Sequence, residues 1–63
     1  MKNENKVQEV RSQKNISQKE LADRVNVSIQ TIQSIEKGKY KPSDSLALNI
    51  ASSLDKQVTD IFR

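Results

Sequence analysis

The segment VSIQTIQSIEKGK, residues 27–39, contains the side chains that are best suited to recognise a partner. At about 100° per residue, a helix over this segment has one apolar face and one face made largely of uncharged hydrogen-bonding groups. The second face carries Ile29, Gln30, Gln33, Ser34 and Lys37. A Gln amide matches the donor and acceptor of adenine in the DNA major groove, and an isoleucine can contact a thymine methyl group. This face therefore suits A·T base pairs, although similar polar faces also occur on helices that bind nothing.

Capping residues predict the two helices that would position this face. Ser17 and Glu20 form the pattern S-Q-K-E of a capping box, which starts one helix. That helix should end near Asn26, because Asn tolerates the left-handed conformation of a helix terminus. Ser28 can cap the next helix. The turn between them is only a few residues long, so the two helices must cross steeply, as in a helix-turn-helix over about residues 17–37.

The other apolar spacings predict three further helices and an all-α fold. Valines at helical spacing indicate a first helix over about residues 3–13, and the single glycine, Gly38, is placed to end the third helix. Ser43 can cap a fourth helix, and a short fifth helix is expected over residues 58–62. The apolar residues expected in the core of these helices are Leu21, Ala22, Val25, Ile32, Ile35, Leu46, Ile50, Ala51 and Leu54.

Length and composition restrict the class of protein. The chain has 63 residues, of which 33% are apolar, so we expect one small domain over residues 1–63. A core of this size rarely contributes more than about 3 to 5 kcal/mol, and such domains usually add disulfides, metals or a partner subunit. The chain has no Cys and no His, which removes disulfides and the usual zinc ligands. Self-association is the expected supplement, and no metal, cofactor or small-molecule ligand is expected.

The sequence also lacks the patterns of enzymes and membrane proteins. It has no Gly-rich phosphate loop and no carboxylate pair in a recognisable pocket, so we expect no enzyme. The polar start MKNENK is not followed by an apolar run, and no stretch approaches the roughly 20 apolar residues of a membrane span. We expect a soluble cytoplasmic protein without membrane contact.

Positive charge is concentrated in the first two-thirds of the chain. Residues 1–42 contain nine Lys or Arg and five Asp or Glu, whereas residues 43–63 contain two and three. A basic region on a small domain is a weak indication of a polyanionic partner such as nucleic acid. On charge alone, a solvated lysine-rich surface is the simpler interpretation.

The run ISQKELADRVNVSIQTIQSIEKGKYKPS, residues 16–43, resembles the lambda-repressor-like, or XRE, family of helix-turn-helix DNA-binding domains. The matching elements are S-Q-x-E-L-A at 17–22, V-S at 27–28, I-x-x-I-E at 32–36 and G-K-Y-x-P-S at 38–43. LALNIA at 46–51 and D-I-F at 60–62 extend the similarity over nearly the whole chain. The resemblance implies a five-helix fold, sequence-specific operator binding by a two-fold dimer and a role in regulating transcription.

The resemblance also implies roles for individual residues. Ile29, Gln30 and Ser34 match the base-contacting positions of the family, with Gln33 beside them. Contacts to the DNA backbone are implied for Gln18, Ser28, Thr31, Lys37, Lys39, Tyr40 and Lys41. Arg11 and Glu36 match a structural ion pair between the first and third helices. For Gln18 an ordinary exposed helix start remains open, and Tyr40 can equally pack under its loop.

The sequence departs from the family pattern at four positions. Asn26 stands where many relatives have Gly in the turn, a replacement that the turn tolerates. A common Gly after the fourth helix is Asp55 here, and the usual small cap before the last helix is Gln57, which predicts a less firmly held end. Ile29 stands where relatives often carry Arg or Gln. The polar face of the third helix has no Arg, so the usual bidentate contact to guanine is missing. The expected half-site is therefore rich in A·T pairs.

The sequence supports two hypotheses about the function of the protein. The first is a repressor that binds an inverted-repeat operator on double-stranded DNA as a homodimer, with half-sites about one helical turn apart. The second is an antitoxin or adaptor that uses the same fold to hold a protein, with the outward-facing Ile29 as an anchor. Dimer contacts are expected at Ile61 and Phe62, unless both residues close the core of the monomer.

Overall fold

The computed structural model describes residues 5–62, and these residues form five α-helices. The helices are α1 Val7–Gln13, α2 Gln18–Val25, α3 Ile29–Glu36, α4 Asp44–Ser53 and α5 Val58–Ile61. The expected all-α, five-helix fold is confirmed. The predicted start of the first helix at Asn3 lies outside the described residues, and Asn5 and Lys6 precede α1 rather than belong to it. None of the five helices is long and apolar enough to cross a membrane.

Three helices begin at a serine, as the sequence predicts. The hydroxyl oxygens of Ser17, Ser28 and Ser43 each accept the backbone N–H of the residue three positions later, at 3.0 to 3.2 Å. Each bond satisfies one of the N–H groups that a helix start leaves without a partner. The reciprocal half of the predicted capping box is wrong, because the Glu20 carboxylate accepts from Arg24 Nη2 at 2.8 Å instead of turning back to Ser17.

Four helices end with a residue in the left-handed conformation. These residues are Asn15, Asn26, Gly38 and Asp55, with φ between 59° and 76°. At the end of α3, the N–H of Lys39 donates to the Ser34 carbonyl at 2.9 Å, and the N–H of Gly38 donates to the Ile35 carbonyl at 3.0 Å. This pair of bonds is the Schellman motif. Only one of the four left-handed positions is occupied by glycine, the residue that adopts this conformation at least cost.

The core lies between the helices and contains only apolar side chains. Its buried members are Val7, Val10, Ile16, Leu21, Ala22, Val25, Ile32, Ile35, Ile50, Ala51, Leu54 and Ile61. The partly buried side chains packed against it are Val27, Leu46, Val58 and Phe62. The predicted core is therefore confirmed except at Leu46, which is half-buried. Both helices of the helix-turn-helix contribute to this core, so packing fixes the position of α3 against α2.

The two ends of the described chain are joined in what we call the terminal clasp, formed by Asn5, Lys6, Ile61 and Phe62. Asn5 and Phe62 form an isolated antiparallel bridge, and the N–H of Lys6 donates to the Ile61 carbonyl at 2.9 Å. The Asn5 side chain also donates from Nδ2 to the Ile35 carbonyl at 2.8 Å. The clasp therefore reaches the last turn of α3.

Candidate nucleic-acid interface

The inner face of α3 anchors this helix in the core. Ile32 and Ile35 are both fully buried. The helix begins directly after a short turn, in which Asn26 is left-handed with φ 62° and Val27 is half-buried. The Ser28 hydroxyl then caps the helix. Burial at both turns of α3 leaves its opposite side free to meet a partner.

The outer face of α3 contains the four residues predicted to read bases. Ile29, Gln30 and Gln33 are exposed, and Ser34 is half-buried. Ile29 retains 38% of its accessible surface, so an apolar side chain lies exposed among these polar groups. All four residues therefore lie outside the core, on the helix that a helix-turn-helix places in the major groove.

A chain of four polar side chains supports α3 from the side; we call it the polar relay of Arg11, Glu36, Gln18 and Gln33. Arg11 donates from Nε to Glu36 Oε2 at 2.8 Å and from Nη2 to Glu36 Oε1 at 3.3 Å. Gln18 donates from Nε2 to Glu36 Oε1 at 2.9 Å. Gln33 donates from Nε2 to Gln18 Oε1 at 3.3 Å. The relay joins α1, α2 and α3.

The ion pair of Arg11 and Glu36 is the buried end of the polar relay. The side chains of Arg11 and Glu36 are only 12% and 4% exposed. A carboxylate so far from water is stable only with an opposite charge and enough hydrogen-bond donors. Arg11 and Gln18 together supply three such donors to Glu36. The last residue of α3 is therefore held by both preceding helices.

Gln18 has a more specific place than the sequence indicated. The resemblance implied a contact to the DNA backbone for Gln18, and its amide is bonded to two residues of α3, Glu36 and Gln33. The sequence alone did not reveal these two partners. The only hint was that Gln18 and Glu36 both belong to matched motifs.

Apart from Gln18 on α2, the residues predicted to contact the DNA backbone lie towards the two ends of α3. At its start, the hydroxyl oxygens of Ser28 and Thr31 are 3.0 Å apart, with Ser28 exposed and Thr31 half-buried. At its end, Lys37, Lys39, Tyr40 and Lys41 are exposed. Tyr40 keeps 47% of its surface, so its ring is not packed away under the loop.

The two residues predicted to make dimer contacts differ in accessibility. Ile61 is fully buried, which corrects its assignment to a surface contact: it closes the core of the monomer. Phe62 is half-buried and packs against the same core. A third apolar residue, Leu48 on α4, is 56% exposed and was not singled out from the sequence.

A shallow polar depression lies at the junction of α4 and α5, far along the chain from α3. It is lined by Ser52, Asp55, Lys56, Gln57 and Asp60. The Gln57 N–H donates to Asp60 Oδ2 at 3.1 Å, which secures the start of α5 without a small capping residue. Within residues 5–62, no group of Asp, Glu, His or Cys is arranged to hold a metal ion.

The chain is similar to helix-turn-helix proteins in both sequence and structure. Residues 7–61 match the model of the family HTH_3, described as helix-turn-helix. An uncharacterized HTH-type transcriptional regulator from Methanocaldococcus jannaschii is 47% identical over 58 residues, which cover 92% of this chain and 88% of the relative. A similarly described regulator from Bacillus subtilis is 43% identical over 58 residues, with the same coverage of both chains.

Two solved structures share the arrangement of helices. The clp gene regulator ClgR from Corynebacterium glutamicum superposes with a TM-score of 0.83 at 26% identity, over 86% of this chain and 57% of that chain. The restriction-modification controller protein C.AhdI from Aeromonas hydrophila gives 0.81 at 26% identity, over 86% of this chain and 82% of its own.

Proposed function

Because this chain belongs to the helix-turn-helix family HTH_3, we propose that it represses transcription by binding an inverted-repeat operator as a homodimer. Membership confirms the resemblance to the lambda-repressor-like domains. The family and the names of the relatives indicate a DNA-binding transcriptional regulator rather than an enzyme. Under the proposal, the repressor acts in the cytoplasm, where bacterial and archaeal DNA lies.

The outer face of α3 is the observation that carries the proposal. It presents two exposed Gln amides and an exposed isoleucine, while Ile32 and Ile35 hold the other face in the core. Gln amides match adenine, and an isoleucine can rest against a thymine methyl group. The proposed half-site is therefore rich in A·T pairs, with Ile29 and Gln30 in the first turn nearest the bases.

The charged groups near the end of α3 support the same proposal. Lys37, Lys39 and Lys41 are exposed beyond the last turn of the helix. Lysines there can neutralise phosphates, and each neutralised phosphate releases counterions and makes binding weaker in salt. We assign these three residues, with Tyr40 and the hydroxyls at the helix start, to sequence-independent backbone contacts.

The proposal is tested by selecting bound sequences from a random DNA pool, followed by titration of the selected site at several salt concentrations. We expect an A·T-rich inverted repeat and affinity that falls steeply with salt. Gln30→Ala should lose about 1 to 3 kcal/mol of discrimination at one base pair, whereas Lys39→Ala should weaken binding to all sequences alike. Binding without any sequence preference would overturn the proposal.

A second candidate function is supported by the exposure of Ile29. An apolar side chain that is 38% exposed can anchor a protein partner as well as a thymine methyl group. In that case the domain is an antitoxin or adaptor. Ile29→Arg separates the two: a repressor should gain preference for guanine at one position. An adaptor should instead lose its protein partner with DNA selectivity unchanged.

A further inference from the structure

We propose that Gln18 and Glu36 are positioning residues that fix the amide of Gln33, so that Gln33 selects adenine or cytosine at one operator position. The inference rests on the proposed function, since it assumes that α3 meets DNA bases. It goes further because it states which end of the Gln33 amide faces the bases and names the residues that orient this amide.

Glu36 determines which group donates and which accepts in each hydrogen bond of the polar relay. An ionised carboxylate has only acceptors, and Arg11 holds the carboxylate of Glu36 in place through two donors. Gln18 must therefore face Glu36 with its NH2 group, as the 2.9 Å bond from Nε2 to Oε1 shows. If the amide of Gln18 were turned over, its oxygen would meet the carboxylate. The amide oxygen of Gln18 consequently points away from Glu36.

The orientation of the Gln18 amide determines the orientation of the Gln33 amide. The oxygen of Gln18 can only accept, so Gln33 must face it with its own NH2 group, at 3.3 Å. The Oε1 atom of Gln33 is then the end of the amide that is turned away from Gln18. Gln33 is exposed, so this oxygen is free to accept a hydrogen bond from a partner. An amide that could rotate freely would instead offer either end.

An oriented acceptor distinguishes bases in the major groove. Adenine offers the N6 amino group and cytosine the N4 amino group, whereas guanine and thymine offer oxygen acceptors at the corresponding positions. The second hydrogen of the Gln33 NH2 group is still available as a donor, but Oε1 then faces the oxygen acceptor of guanine or thymine. Removing that repulsion would require Gln33 to turn over and lose its bond to Gln18. A neutral hydrogen bond of this kind corresponds to roughly a 2- to 10-fold change in an equilibrium constant, and that is the discrimination we expect.

The relay is tested with Gln18→Met, Gln33→Met and the double variant. Binding is measured to the selected operator with each of the four base pairs at the position whose preference Gln33→Met changes. The wild type should favour adenine and cytosine about 2- to 10-fold over guanine and thymine. Gln18→Met should remove this preference although Gln33 is intact, and the double variant should show no further loss at this position. Lys19→Met, next to Gln18 but outside the relay, should leave the preference unchanged.

The outcomes separate this inference from the proposed function. If Gln33→Met changes one position but Gln18→Met keeps the preference there, the positioning role is overturned while DNA reading stands. A preference for guanine or thymine at that position, or no position affected by Gln33→Met, also overturns it. If the wild type selects no sequence at all, the proposed function fails as well. Thermal unfolding checks that each variant is folded, and Gln18→Ala replaces Gln18→Met if the latter is not.

Discussion

The ion pair between α1 and α3 and the ion pairs along α2 have similar geometry but different surroundings. Arg11 and Glu36 meet at 2.8 Å with side chains 12% and 4% exposed, whereas Arg24 and Glu20 meet at the same distance with 42% and 48% exposed. A second pair on α2, Lys19 with Asp23, is 3.2 Å apart and about 70% exposed. Distance therefore does not distinguish these pairs; burial and the elements they connect do.

The difference shows what each pair can contribute. An exposed pair one turn apart on the same helix contributes little, because water already solvates both charges. The buried pair joins helices that are far apart in the sequence, and either charge left alone would be buried without compensation. It also provides the fixed acceptor from which the polar relay starts. The same two charge types thus stabilise one helix locally in α2 and fix the position of α3 against α1.

The largest effect is expected when one partner of the buried pair is removed. Glu36→Ala leaves the Arg11 charge buried without its carboxylate, which costs about 3 to 5 kcal/mol of the free energy of unfolding. For so small a domain this is most of its stability. The measurement is urea unfolding followed by circular dichroism. Asp23→Ala, which removes an exposed carboxylate, is the matched control, and equal losses in the two variants would remove the distinction between the pairs.

A smaller effect on stability is expected when both partners are replaced. In Arg11→Met with Glu36→Met no charge is left buried, so the free energy of unfolding should recover most of the loss seen with Glu36→Ala. The base preference at the position read by Gln33 should nevertheless disappear, because Gln18 no longer has its fixed acceptor. Unfolding and DNA titration of one preparation measure both effects. A double variant that kept this preference would show that the buried pair serves stability alone.

The smallest effect is expected on α2. Glu20→Gln keeps the size of the side chain and removes one charge of an exposed pair, so the free energy of unfolding should fall by about 0.5 kcal/mol. In roughly 1 M salt the difference should nearly vanish, because the Debye length is then about 3 Å. Urea unfolding at low and high salt measures it. A loss above about 2 kcal/mol that persists in salt would mean that exposure does not determine the value of these pairs.

Local signals allowed most of the fold to be predicted. Ser17, Ser28 and Ser43 each act within three residues of their own position, so the sequence around them was enough. The same is true of Asn26 and of the apolar spacing on α3. The predicted reciprocal bond of Glu20 failed for a local reason as well: Arg24, one turn later, competes for the same carboxylate.

Contacts between distant residues could not be predicted from local patterns. The bond from Asn5 to the Ile35 carbonyl joins residues 30 positions apart, and an Asn outside a helix carries no periodicity that would reveal it. The link from Gln18 to Glu36 spans 18 positions, and it depends on the crossing of α2 and α3. The Arg11–Glu36 pair was expected from the family resemblance, which carries such tertiary information indirectly.

The terminal clasp has a consequence for the order in which the domain is built during synthesis. Asn5 and Phe62 are the most widely separated residues of the described chain, and closing so long a loop is the slowest kind of contact to form. Asn5 holds the last turn of α3, and Ile61 completes the core beside it. A growing chain can therefore form α2 and α3 early, but the terminal clasp that holds the last turn of α3 can close only after residues 61–62 have left the ribosome.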